Sequence, residues 1–293
     1  MKYYIDIGSS RIKTYQREKE SLTLIEENAI YFKEYFIEEE GISRKNYRLL
    51  MLYMKELVQT YGLKQENCKI YATGIWRKIS KEQYEMLRAD FRELGLQFNI
   101  MSQQEETLYF EKVTQDIYDN QKVLMVNIGE KITELIVCNQ GNVVAKQKLP
   151  IGITKILNDF PDIQKEKSNT TIEEIEKDIL KVIRNENFDF GCDCGIFVVG
   201  ELKFQKLVKY HLKPNAIFHD GIHEFMLSYQ EFARKNKELL EEVKLEHLYL
   251  VMPSNKKWMD RAKAGGILAQ AIFKKANIES IIPSDLNIID IET

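Results

Sequence analysis

The chain has 293 residues, of which 44% are hydrophobic, and its formal net charge is −3 at pH 7. This length suits one large domain or two of ordinary size, and the weak charge argues against a protein that binds nucleic acid or a membrane surface. The four cysteines lack the spacing of a disulfide framework, and the N-terminus leaves no room for a signal peptide, which together predict a cytoplasmic protein. No apolar run approaches the length of a membrane span.

In the first half, hydrophobic periodicity predicts a three-strand meander followed by alternating helices and strands. The predicted strands cover residues 2–7, 11–16, 22–32, 69–73 and 97–101. The predicted helices cover residues 44–61, 80–94 and 103–118. Ser80 and Gln83 are spaced as a capping box at the start of the second helix. This order predicts a mixed sheet covered by helices.

The second half repeats the meander. Its predicted strands cover residues 122–128, 132–139, 143–149, 195–199 and 278–282. Helices are predicted after a capping pair at Thr171 and Glu174, from Glu201, after Ser228, and over residues 256–276. Gly265 and Gly266 lie inside the last helix, which predicts close approach of a ligand or another helix. The repetition predicts two similar domains, residues 1–120 and 121–293, and leaves open whether the final segment packs back onto the first.

A short pattern occurs once in each half: an apolar strand, an acid or its amide, a glycine turn, and a second strand. The two copies are Ile5-Asp6-Ile7-Gly8-Ser9-Ser10-Arg11 and Val126-Asn127-Ile128-Gly129-Glu130-Lys131-Ile132. Glycine lets the backbone approach a ligand closely, and successive N–H groups in such a turn can cradle an anion. Either copy alone can be an ordinary turn. Their recurrence in the same order favours two phosphate-binding loops.

This repeat resembles the paired hairpins of the superfamily that includes actin, sugar kinases and the heat-shock chaperone ATPases. Within that superfamily the chain is similar to the Ppx/GppA family of exopolyphosphatases and guanosine pentaphosphate phosphohydrolases. The similar stretches, in order, are Asp6–Ser10, Ala72–Arg77, Ser102–Glu106, Asn127–Leu135, Leu149–Gly152, Asp260–Arg261, Gly265–Gly266 and Ser284–Asp285. The resemblance covers nearly the whole chain. It implies two α/β domains of the ribonuclease-H-like, actin-like ATPase type, each a mixed sheet flanked by helices.

The chain also departs from the family pattern. Asn127 replaces the second aspartate, and Glu130, Lys131 and Ile132 replace a Gly-Gly-Ser run. Smaller departures are Ser10–Arg11 for Asn-Ser, Gly200–Leu202 for a Gly-Gly-Thr turn, and Leu286 for glycine. A glutamate in a phosphate loop brings negative charge and prevents the close approach that glycine permits. These changes predict a second loop that is remodelled for another ligand or impaired.

The family positions imply three sets of site residues. The implied catalytic residue is Glu106. The implied Mg²⁺ ligands are Asp6, Asn127 and Glu134, because Mg²⁺ prefers hard oxygen donors. The implied phosphate-binding residues are Gly8, Ser9, Ser10, Arg77, Gly129, Glu130 and Lys131. Each also has a structural alternative, such as a solvated glutamate at a helix start for Glu106 or a turn-capping aspartate for Asp6.

The sequence therefore favours a magnesium-dependent hydrolase that releases terminal phosphate from polyphosphate, or from guanosine penta- or tetraphosphate, in a cleft between its domains. The alternative is a catalytically impaired protein that binds or senses a phosphorylated ligand. The hypothesis of an ATP-binding filament or chaperone is weaker, because Gly200-Glu201-Leu202 lacks the double glycine of a loop that binds adenosine. Homodimerisation is left open. A metal site at His219, Asp220 and His223 and a redox pair of Cys192 and Cys194 are disfavoured against structural roles.

Overall fold

The computed structural model describes residues 1–19, 21–106, 108, 111–112, 121–165, 168–198, 201–217, 219, 222–251, 256–286 and 289, with the backbone alone for 256–260. The chain forms two compact units, one of Met1–Phe110 with Ile288–Thr293 and one of Glu111–Asn287. Each unit has a mixed sheet flanked by helices, which confirms the predicted fold class. The predicted boundary at residue 120 falls outside the described residues.

The sheet of the first unit has the strand order β3-β2-β1-β4 in the described residues. These strands are β1 (Lys2–Ile7), β2 (Ile12–Glu18), β3 (Ser21–Asn28) and β4 (Cys68–Ala72). The helices are α1 (Arg44–Tyr61) and α2 (Lys81–Glu93), with a 3-10 helix at Gly74–Lys78. β1 lies antiparallel to β2 and parallel to β4. β1 is therefore a central strand, and the turn that follows it opens beside the end of β4.

Two strand predictions in this unit are wrong. β3 ends at Asn28 and not at residue 32, because Ile30 and Phe32 leave the sheet and are buried in the core. The predicted strand at 97–101 is absent, and only Ile100 forms an isolated parallel bridge to Ala72. Of the predicted helix at 103–118, residues 103–106, 108 and 111–112 are helical, and the others lie outside the described residues.

Capping side chains define where α1 and α2 begin. The Ser43 hydroxyl accepts from the Asn46 N–H at the start of α1. Ser80 does the same for the Gln83 N–H at 3.0 Å. The predicted capping box at Ser80 is only half formed, because the Gln83 side chain instead pairs with the backbone N–H and C=O of Ile42, at 2.8 and 2.9 Å. That pairing ties α2 to the loop before α1.

The sheet of the second unit has the order β7-β6-β5-β8-β11-β10-β9 in the described residues. Its strands are β5 (Lys122–Ile128), β6 (Thr133–Asn139), β7 (Asn142–Leu149), β8 (Cys194–Phe197), β9 (Lys213–Pro214), β10 (Phe225–Ser228) and β11 (Ser280–Pro283). Its helices are α3 (Ile153–Asp159), α4 (Ile172–Val182), α5 (Glu201–Leu207), α6 (Tyr229–Glu241), α7 (Leu245–Val251) and α8 (Lys256–Lys275). The sequence did not predict α3, α7, β9 or β10, all of which are short.

The long helix α8 packs closely against α6 at one of its two adjacent glycines. A Cβ atom on Gly266 would lie 2.8 Å from Asn236 Oδ1, whereas among the described residues a Cβ on Gly265 would lie nearest to Ile153 Cδ1, at 4.0 Å. The predicted approach of another helix is thus confirmed at Gly266 and not at Gly265. Within the part of the chain that the structure describes, no helix is long and apolar enough to cross a membrane.

Candidate functional site

The two repeated stretches fold as hairpins with the same turn. Ile7 pairs with Ile12 in the first hairpin, and Ile128 pairs with Thr133 in the second. In both turns the glycine N–H donates to the carbonyl three residues later, at 2.9 Å. A Cβ on Gly129 would lie 2.9 Å from the Ile132 carbonyl oxygen, so the second turn is the one that excludes a side chain.

The first turn rests on the 3-10 helix at Gly74–Lys78. The Ser9 hydroxyl accepts from the Ile75 N–H at 3.3 Å, and the buried Trp76 donates its indole N–H to the Gly8 carbonyl at 3.2 Å. Gly74 has a φ of +69°, and a Cβ there would lie 2.5 Å from Ser9 Oγ. The stretch Ala72–Arg77 therefore fixes the conformation of the turn that contains Gly8, Ser9 and Ser10.

Arg77 extends from the same 3-10 helix to Glu106. Its Nη1 donates to Glu106 Oε2 at 2.7 Å and to the Met101 carbonyl at 3.2 Å, and its Nη2 donates to Gln103 Oε1 at 2.8 Å. The side chains of Arg77 and Glu106 are 23% and 19% exposed. Because the guanidinium makes several contacts at once, it orients the carboxylate of Glu106 as well as neutralising it.

The neighbouring Glu105 has a different role. Its carboxylate accepts from the Ser102 N–H at 2.8 Å, and its own N–H donates to Ser102 Oγ at 3.1 Å. This reciprocal pair is a capping box, and its hydrogen bonds lower the pKa of Glu105. Of the two adjacent acids, Glu106 is the one held by Arg77.

Asp6 is an acid with an unsatisfied oxygen. Its Oδ1 is buried and has no hydrogen-bond partner among the residues that the structure describes. Burial raises the pKa of Asp6 from 3.8 to about 6; the charge of Lys13 opposes this rise, that of Glu106 adds to it, and that of Arg11 opposes it. Lys13 is the residue that pairs with Asp6 across the hairpin. Arg11 at the turn forms an ion pair with Glu27 at 2.7 Å.

The second hairpin carries a row of polar side chains on three neighbouring strands. Asn127 pairs with Glu134, and Glu134 pairs with Lys148. Glu134 Oε2 lies 3.5 Å from Asn127 Nδ2, and Glu134 Oε1 lies 3.3 Å from Lys148 Nζ. The Glu134 side chain is only 8% exposed, so it is not a solvated strand residue.

The turn after β5 is held by the start of α3 and by α8. Ile153 and Thr154 donate their N–H groups to the carbonyls of Gly129 and Glu130, at 3.1 and 2.9 Å. The Glu130 carboxylate accepts from Thr154 Oγ1 at 3.0 Å and forms an ion pair with Arg261. Lys131 is exposed. The predicted phosphate loop of this unit therefore carries an anion of its own.

The histidine cluster and the cysteine pair, both disfavoured as functional sites, have surroundings that agree with structural roles. His223 Nε2 and Ser284 Oγ form a buried hydrogen bond at 2.7 Å, whereas His219 is exposed. Asp220 lies outside the described residues. Burial raises the pKa of Cys192 to about 11 and also raises the pKa of Cys194, so neither thiol is activated for redox chemistry. In the described ranges, no group of three His, Cys, Asp or Glu residues could hold a metal ion.

The structure thus distributes the sequence-predicted site residues over two units. The first unit holds Asp6, Gly8, Ser9, Ser10, Arg77 and Glu106, and the second holds Asn127, Gly129, Glu130, Lys131 and Glu134. Sequence reasoning did not single out Lys13, Lys148, Thr154 and Arg261 as partners of these residues. Only Arg261 carried a signal, since it belongs to one of the similar stretches.

Comparison with known proteins places this fold and these stretches in one family. Residues 6–288 match the Ppx/GppA phosphatase family. A crystal structure of the Aquifex aeolicus family member is 18% identical, with a TM-score of 0.72 over 99% of this chain and 95% of that chain. A Cytophaga hutchinsonii exopolyphosphatase is 14% identical, with a TM-score of 0.69 over 99% and 95%. At these identities the two structures show a shared fold. No curated protein matches the sequence. The chain belongs to the Ppx/GppA phosphatase family.

Proposed function

We propose that this protein hydrolyses terminal phosphoanhydride bonds in polyphosphate, or in guanosine penta- or tetraphosphate. One observation carries the proposal: the ion pair at 2.7 Å between Arg77 and Glu106. It holds a carboxylate in one orientation in the unit that also contains Asp6 and the Gly8 turn. A solvated glutamate at a helix start has no need of such a support.

The residues of the first unit match the needs of phosphoanhydride hydrolysis. Glu106 accepts the proton of the attacking water, or orients that water, so that its oxygen attacks the terminal phosphorus while the bond from that phosphorus to the bridging oxygen breaks and the shortened phosphate chain leaves. The N–H groups of the turn after Gly8 are suited to phosphate oxygens. Arg77 acts through Glu106 and keeps its carboxylate in place.

Mg²⁺ is the metal that the family resemblance implies, and the donors available fit it in part. Asp6 offers a buried oxygen that no other group in the described part of the chain bonds. Asn127 offers a neutral amide oxygen, and Glu134 is already paired with Lys148 at 3.3 Å. When bound, the ion would neutralise charge on the phosphate oxygens. We propose Asp6 as the strongest of these candidate ligands, and Asn127 and Glu134 as weaker ones.

The test is phosphate release by the purified protein from polyphosphate and from guanosine pentaphosphate in the presence of Mg²⁺. Glu106→Gln should lower turnover by about 100-fold or more while ligand binding persists, because an amide keeps the shape but cannot accept the proton. Glu105→Gln is the matched control, since glutamine still completes the capping box. Equal turnover in wild type and Glu106→Gln would refute the hydrolase.

A second candidate function is a phosphate-ligand sensor that hydrolyses its ligand slowly or not at all. The position of Glu130 favours it, because a carboxylate paired with Arg261 stands in the second loop. The sensor would bind polyphosphate or guanosine pentaphosphate, seen as a raised thermal midpoint, without turnover above the Glu106→Gln background. Wild-type turnover well above that background would exclude it.

We also propose a cytoplasmic setting. All four cysteines are free thiols, and the three most buried are Cys68, Cys138 and Cys194. Buried cysteines that stay reduced and form no disulfides are typical of proteins in a reducing compartment.

A further inference from the structure

The side chain of Glu130 sits in a clamp formed by two other elements of its unit. Arg261 on α8 donates to Oε1, and Thr154 Oγ1 on α3 donates to Oε2 at 3.0 Å. The backbone is held as well, because the Thr154 N–H donates to the Glu130 carbonyl at 2.9 Å. Both carboxylate oxygens are thus engaged, one by a charged donor and one by a hydroxyl.

This arrangement of two hydrogen-bond donors is typical of a site that binds an oxyanion. A guanidinium and a hydroxyl that meet two oxygens of a carboxylate can meet two oxygens of a phosphoryl group in the same way. Arg261 is 31% exposed, and burial lowers its pKa, so the partly dehydrated guanidinium is stabilised by an anionic partner. Glu130 is 36% exposed, so a carboxylate displaced from the clamp would have access to water.

We propose that Arg261 and Thr154 form a phosphoryl-binding position that Glu130 occupies in the ligand-free protein. Glu130 is then an internal competitor that sets the anion affinity of the second loop, and a ligand must displace its carboxylate. This inference rests on the proposed function for the ligand class, a chain of linked phosphates, and does not depend on hydrolysis. A ligand with several phosphates is favoured over a single phosphate, because its remaining contacts offset the displacement.

The test is binding of inorganic tripolyphosphate, measured by calorimetry at low salt in the presence of a chelator. Glu130→Ala should lower the Kd by about tenfold. Without the glutamate, one charge-assisted contact of the clamp becomes available to the ligand. Adding Thr154→Val to Glu130→Ala should reverse part of that gain, and adding Arg261→Gln should reverse all of it. Glu173→Ala is the matched control, because Glu173 is another ion-paired glutamate of the same unit, 2.8 Å from Lys237.

An unchanged Kd in Glu130→Ala would overturn the proposal, and so would an equal gain in Glu173→Ala, since net charge alone would then explain it. Should Glu130→Ala fail to fold by circular dichroism, Glu130→Gln decides the matter. Glutamine keeps the contacts but loses the charge, and we expect a gain of about threefold; no gain would refute the competitor. If Glu130→Ala binds tripolyphosphate more tightly but the wild-type protein hydrolyses no phosphoanhydride, the phosphoryl-binding position is upheld and the hydrolase is rejected.

Discussion

Asp6 and Asn127 occupy equivalent positions in two hairpins that have the same turn. Each lies two residues before the turn glycine, and each pairs with a charged residue of the next strand, Lys13 for Asp6 and Glu134 for Asn127. The first hairpin therefore sets an acid against a base, and the second sets an amide against an acid. This difference makes the two positions respond in different ways to the same kind of substitution.

Asn127→Asp should strengthen Mg²⁺ binding. The new carboxylate would stand beside Glu134, whose Oε2 lies 3.5 Å from Asn127 Nδ2. Two acids at that distance repel each other without a cation, so the metal-free variant should lose about 1 kcal/mol of stability. Mg²⁺ relieves the repulsion, and a larger shift of the thermal midpoint with added Mg²⁺ is the measurement.

Asn139→Asp, at the end of the neighbouring strand β6 that lies far from the turn, serves as the control for added negative charge. If both variants respond equally to Mg²⁺, position 127 has no special relation to the ion. Asn127→Asp should also raise turnover if the second loop has only lost metal charge. Unchanged turnover, together with tighter Mg²⁺ binding, would place the impairment in the residues after Gly129.

Asp6 should make the metal-free protein less stable as pH rises. Its folded pKa of about 6 exceeds the ordinary value of 3.8, so the folded state holds the proton more strongly. The contribution of this group to the free energy of unfolding is therefore greatest below pH 4, falls between pH 4 and 6, and stays low above that. Asp6→Asn removes the buried charge and should stabilise the protein at pH 8 by about 1–3 kcal/mol.

The check is chemical denaturation of wild type and Asp6→Asn with a chelator at pH 4 and pH 8. The advantage of the variant should shrink as pH falls, because the wild-type carboxyl is protonated there as well. A variant that is less stable than wild type at pH 8 would contradict the pKa shift. If Asp6 is a ligand of Mg²⁺, the order should invert with Mg²⁺ at saturation, since the variant lacks that carboxylate.

Arg77→Lys should separate two roles for this arginine. Lysine keeps the charge but loses the contacts with Met101 and Gln103 that orient the guanidinium toward Glu106. If Arg77 positions Glu106, kcat should fall by about tenfold to a hundredfold with little change in KM. If it binds phosphate instead, KM should rise. Lys78→Met is the control, since Lys78 pairs with the exposed Glu38 at 2.5 Å.

Gly265→Ala and Gly266→Ala should change stability in opposite directions. No described atom lies closer than 4.0 Å to a methyl group at Gly265, and alanine in place of glycine should stabilise the helix by about 1 kcal/mol. At Gly266 the methyl group would lie 2.8 Å from Asn236 Oδ1, and the Asn236 side chain also bonds the Gly266 carbonyl at 3.1 Å. Displacing it should cost about 1–3 kcal/mol. Thermal unfolding of both variants tests the pair, and equal signs would refute the helix contact.

Capping pairs show what a sequence can predict about this fold. Thr171 and Glu174, predicted as a capping pair, form a reciprocal box, since both partners lie within one turn. The same spacing at Ser80 and Gln83 misleads, because Gln83 bonds Ile42, which lies 41 residues away. Local hydrogen bonds follow from local sequence, whereas a competing partner far along the chain becomes visible only once the chain is folded. The absent strand at 97–101 has the same origin, because its pairing depends on how closely it approaches β4.

The candidate site follows the same rule. The repeated hairpins could be recognised from the sequence because each is a continuous stretch. The partners that decide their chemistry are distant: Arg77 and Glu106 are 29 residues apart, and Glu130 and Arg261 are 131 apart. The sequence indicated that Glu130 disturbs the second loop, but it could not show that a base and a hydroxyl hold the glutamate there.

The hydrogen bond from Trp76 to Gly8 makes the first turn accessible to spectroscopy without a label. The indole is fully buried, and its N–H donates to the carbonyl of the turn glycine at 3.2 Å. Indole emission depends on the polarity and hydrogen bonding around the ring, so a rearrangement of that turn changes the emission of Trp76. The chain has two tryptophans, and Trp258→Phe would leave Trp76 as the sole indole, which can be excited selectively at wavelengths that the 15 tyrosines do not absorb. Stopped-flow fluorescence of that variant would then follow the movement of the loop in real time.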